Sequence, residues 1–93
     1  NMNEDTINRL VERYGDRWVL RDLDFFPEKL SDMCRVYPYR VKTFMEVTTG
    51  IGFVSFETEK EALEASIEIY EKVLKQKVPY SLLERYHLVT SEK

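Results

Sequence analysis

The side chains that most often carry chemistry are scarce in this 93-residue chain: there is one thiol, Cys34, and one imidazole, His87. A cysteine nucleophile needs a base beside it to draw off the thiol proton. These two lie far apart in sequence, and neither sits in a nucleophile signature. Cys34 falls on the apolar side of a helical pattern, where a small buried hydrophobe is expected. Zinc is excluded on ligand supply, because one Cys and one His cannot complete a four-ligand N/S site without carboxylates. Asp22, Asp24 and Glu28 form a small acidic cluster. Their spacing is not that of a calcium loop, and they read as a solvated loop. Lys72, Lys75 and Lys77 end a glutamate-rich helical pattern. Cations there complement the helix dipole and support Glu68–Lys72 and Glu71–Lys75 pairs; phosphate contact is the alternative. No catalytic or metal-holding constellation emerges, so the chain is expected to be no enzyme and to need neither cofactor nor metal. A small enzyme or ligand-sensing domain is the outlying reading.

Binding chemistry remains, and size and charge bound it. The length fits one domain, residues 1–93. Hydrophobic residues make up 43% and charged residues 33%, a globular composition. The longest uncharged stretch is Val47–Phe56, ten residues, too short to span a membrane. The polar, acidic start Asn1–Asp5 has no signal-peptide layout. Asn1 ahead of Met2 reads as a residue left by tag removal. A lone cysteine suits a reducing compartment, so an intracellular location, nucleus or cytoplasm, is expected. The net charge of −3 argues against tight autonomous binding of nucleic acid, which usually needs a basic balance. A local basic face is compatible with it.

The elements follow from periodicity. Ile7, Leu10, Val11 and Tyr14 share one helical face, giving a helix over about residues 4–14, capped by Asn3 and closed by Gly15. Arg17–Arg21 reads as a strand with Trp18 and Leu20 inward and Val19 outward. Asp22–Phe26 is a loop, and Pro27 suits the first position of a helix bearing Leu30, Met33 and Cys34. Arg40–Val47 and Ile51–Phe56 are expected to form a hairpin about Thr48-Thr49-Gly50. Thr58-Glu59-Lys60-Glu61 is a capping box opening a helix over about 59–75, with a broad apolar face that includes Tyr70, Val73 and Leu74. Tyr86–Val89 reads as an edge strand, with a short helix over Pro79–Arg85 as the alternative. A βαββαβ core over about residues 17–90, behind an extra N-terminal helix, is the split βαβ pattern of α+β ferredoxin-like sandwiches.

Gly50-Ile51-Gly52-Phe53-Val54-Ser55-Phe56 resembles the RNP1 motif of the RNA recognition motif (RRM) family, whose pattern is Lys/Arg-Gly-aromatic-Gly/Ala-Phe-Val-x-Phe/Tyr. Gly50, Gly52, Phe53, Val54 and Phe56 match. Thr49 stands for the basic residue and Ile51 for an aromatic. Trp18-Val19-Leu20-Arg21-Asp22-Leu23 is similar to the family's RNP2 motif at Leu20 and Leu23, with Val19 in place of the aromatic. The resemblance implies an RRM-like sheet whose open face binds single-stranded RNA by stacking bases on rings. Carried over, the platform is Val19, Ile51 and Phe53, of which only Phe53 is a ring. Each lost base–aromatic stack removes roughly 1–3 kcal/mol. Arg40 and Lys42, on a neighbouring strand, and Tyr86, on the last, are the compensating contacts.

The expectation is a single-stranded RNA-binding module, weak or part of a larger assembly, using Phe53, Ile51, Val19, Arg40, Lys42 and Tyr86. The alternative is an RRM-like protein-interaction module that binds no nucleic acid. An apolar platform suits burial better than it suits bases, so the packing of the N-terminal helix decides much between them.

Overall fold

The structure, a computed structural model, describes residues 3–21, 23–36 and 55–91. Helix α1 spans Glu4–Tyr14. The Asn3 side chain accepts a hydrogen bond from the Thr6 N–H at its start, and Gly15, at φ 82°, closes it. A positive φ there is what favours glycine at a helix exit.

Strand β1, Trp18–Leu20, pairs antiparallel with β2, Pro27–Lys29, with Leu20 opposite Pro27. The helix expected from Pro27 therefore starts three residues later, as α2, Leu30–Val36. Proline is tolerated at the first position of a strand, where no ladder donor is needed. Asp16 accepts from both the N–H and the hydroxyl of Ser31, which satisfies donors of the first α2 turn. The other edge of β1 meets Phe56 through reciprocal Trp18–Phe56 backbone hydrogen bonds.

Helix α3 spans Glu59–Glu68, opened by the expected Thr58/Glu61 capping box. It runs on directly into a π-helix, Ile69–Leu74, ended by Lys75 in the left-handed region. A π-helix turns less per residue than an α-helix. Residues after Tyr70 therefore rotate off the buried face, and Val73 and Leu74 end exposed instead of packed. Helix α4 spans Tyr80–Thr90.

These elements correct the expected fold. Among the described residues there is a two-stranded sheet and four α-helices, not a four-stranded ferredoxin-like βαββαβ sandwich. The last segment is α4 and no edge strand, because Leu82, Tyr86 and Val89, spaced four and three apart, pack together against α3 and the β1–β2 loop. Strand parity would have put Leu82 and Val89 on opposite faces. The face of β1 is also reversed. Val19 is buried with Ile7 of α1 and Leu30, Met33 and Cys34 of α2, whereas Trp18 and Leu20 are half-buried. Alternation fixes which residues share a face, but only the covering layer chooses which face is inside.

The β1–β2 loop is pinned to α3. The Ser66 hydroxyl donates to the Phe25 carbonyl at 2.7 Å, and the Tyr70 hydroxyl to the Asp24 carbonyl at 2.8 Å. Phe25, held at φ 57°, meets the Tyr70 ring edge-on.

Candidate interaction surface

Of the six residues expected to bind RNA, Arg40, Lys42, Ile51 and Phe53 lie outside the described residues. Val19 is 1% exposed in the α1–β1–α2 cluster, so its side chain offers no surface to a base. Tyr86 is half-buried between α3 and α4, where its hydroxyl donates to Glu64. That bond, with the Glu64 charge, raises the phenol above its usual range. The ring packs against the apolar cluster of α3 and α4. The structure does not bring Val19 and Tyr86 together: they belong to different clusters.

The polar candidates resolve into structural roles. Cys34 is fully buried, and burial pushes its thiol above the ordinary value, away from the reactive thiolate. His87 is exposed on α4. In the acidic loop, Arg21 forks onto both Asp24 oxygens, at 2.8 and 2.7 Å, and reaches Glu28 at 3.4 Å. A guanidinium thus occupies the space between two carboxylates where a cation would have to sit. Among the described residues no group of three or more His, Cys, Asp or Glu could hold a metal ion, and no helix is long and apolar enough to cross a membrane.

The Arg21 hydrogen bonds hold the Asp24 carboxyl below its ordinary value of 3.8. The stabilisation is thus present above that value and is lost as pH falls through the lowered one. The pair is partly exposed and screened by solvent, so it contributes about 1 kcal/mol. Asp24→Asn keeps an acceptor for the Phe26 N–H but loses the ion pair. Its melting temperature is expected to lie slightly below wild type at neutral pH and to converge with it in acid. A gap that stays constant through the acid range would show that the ion pair contributes nothing.

Among the described residues, the outer side of α4 gathers several exposed apolar side chains. The inner side packs through Leu82, Tyr86 and Val89 and is clamped by Arg85, which forks onto Glu59 of α3 at 2.6 and 3.2 Å. The outer side lines an open groove of about 350 Å³ with Tyr80, Leu83, Glu84, His87 and Leu88. Tyr80 is 75% exposed, Leu83 45% and Leu88 60%. A helix apolar on two sides is normally covered on both, and among the described residues nothing covers the outer face of this one. The sequence reading missed it because these residues were divided between a possible helix and a possible strand. The available signal was apolar residues three, four and eight apart on both sides of one helical wheel. The chain matches no protein-family model, no curated protein and no solved structure.

Proposed function

We propose that this domain is a protein-interaction module that docks through the outer face of α4, not through a sheet surface. One observation carries the reading: Tyr80, Leu83 and Leu88 stay exposed on a helix whose other side already fills the core. Apolar surface gathered on one rigid element marks a partner site. The burial of Val19 and the docking of Tyr86 on α3 weaken the ring platform that RNA binding needs.

A photo-crosslinking amino acid at position 83, introduced in cells that express the chain, is expected to give a discrete protein adduct. The same group at Lys60, exposed on α3, gives none, and Leu88→Asp removes the position-83 adduct. In parallel, labelled mixed-sequence and polypyrimidine RNA is expected to show no shift at low salt. A salt-dependent shift abolished by Arg40→Ala/Lys42→Ala, with no adduct at position 83, would overturn the proposal in favour of RNA binding.

A further inference from the structure

Resting on that reading, we infer that the partner is a second copy of this chain, docked as an antiparallel α4–α4 pair. The outer face is complementary to itself. Its positions form pairs symmetric about the midpoint between Arg85 and Tyr86: Glu84 with His87, Leu83 with Leu88, and Tyr80 with Ser91. A two-fold axis through that midpoint runs two α4 helices antiparallel and makes the contact isologous, each patch meeting its own copy. At the usual helix separation of about 8–10 Å, Glu84 comes level with the partner's His87, and His87 with the partner's Glu84. The imidazole N–H groups donate to the carboxylates in two symmetry-related, charge-assisted hydrogen bonds.

The leucines flank these pairs on opposite sides of the contact line. Leu83 lies against the partner's His87 ring and Leu88 against the aliphatic stem of the partner's Glu84. Each polar pair is thereby shielded from water by an apolar side chain, and Tyr80 closes each end over the partner's Ser91. Neither Glu84 nor His87 has a side-chain partner among the described residues, so no existing bond must break. A parallel arrangement sets Glu84 against the partner's Glu84 and is disfavoured. The helix has 11 residues and spans about 16 Å. One such stripe buries less than the roughly 800 Å² per partner of a standard interface, so the dimer is weak and reversible.

Sedimentation equilibrium of the full chain over a concentration series tests this. The wild-type mass is expected to rise from monomer toward dimer. His87→Glu sets two carboxylate pairs against each other and weakens the dimer by at least about tenfold. Glu84→His/His87→Glu regenerates both pairs with the roles exchanged and restores it, while circular dichroism shows all three folded. A chain monomeric at every concentration, or a swap that restores nothing, overturns the self-docking. If the chain is monomeric and the position-83 adduct carries a different protein, self-docking fails and the interaction reading stands. If neither dimer nor adduct forms, both fail.

Discussion

Val19→Asp is expected to leave the chain unfolded in water at room temperature. Val19 is 1% exposed and touches a cluster drawn from α1, β1 and α2. Losing its burial removes about 1.5–3 kcal/mol. A carboxylate there gains no partner among Ile7, Leu30, Met33 and Cys34, and the penalty for a buried unpaired charge is several kcal/mol more. A domain of 93 residues has about 5–14 kcal/mol of total stability, so the two losses together approach the whole of it. Val19→Ala, which only opens a small cavity, is expected to stay folded and to unfold at lower urea. Far-UV circular dichroism and urea titration read both. The contrast matters for function. A valine on an open binding face tolerates aspartate and loses only ligand. A Val19→Asp chain with a native melt would restore that picture.

The parts of the fold legible in the sequence were those with local chemical punctuation. Asn3 and Gly15 bracket α1, and Ile7, Leu10, Val11 and Tyr14 gather on its packed side. Thr58 and Glu61 satisfy each other at the head of α3. Leu30, Met33 and Cys34 lie in the core as their spacing implied. What failed depended on tertiary choice. The alternation in Trp18-Val19-Leu20 defines two faces equally well, and α1 and α2 cover the Val19 face. Pro27 reads equally as a helix start and a strand start, and pairing with Leu20 decides for the strand. The π-turn over Ile69–Leu74 has no sequence signal of this kind, yet it rotates Val73 out of the packed face.

The candidate site was legible in composition and illegible in placement. Every residue of the α4 stripe stood in a segment with no proline or glycine after Pro79 to mark its interior. Strand and helix therefore competed there on apolar spacing alone. The motif resemblance lies at Gly50–Phe56, outside this segment. Of that motif only Ser55 and Phe56 are described, and Phe56 is bonded to β1 through Trp18.

Leu82 and Leu88 separate one continuous helix over this segment from an extended one most sharply. In a strand they share a face, and truncating either removes comparable packing. In α4 they lie on opposite sides: Leu82 is 1% exposed within the α3–α4 cluster, and Leu88 is 60% exposed. Leu82→Ala is therefore expected to cost about 2–5 kcal/mol, the range for a buried leucine whose cavity collapses only in part. For a domain of this size that lowers the melting temperature by at least about 8 °C. Leu88→Ala is expected to stay within about 0.5 kcal/mol of wild type, as a surface change does. Both are measured at dilutions where the chain is monomeric, so that any α4–α4 contact contributes nothing. Under those conditions equal losses would argue for a strand, while a large loss at Leu82 alone keeps Leu88 free for a partner. The same pair then reverses rank at high concentration: Leu88→Ala abolishes association in a folded chain, and Leu82→Ala loses association only as the fold itself is lost.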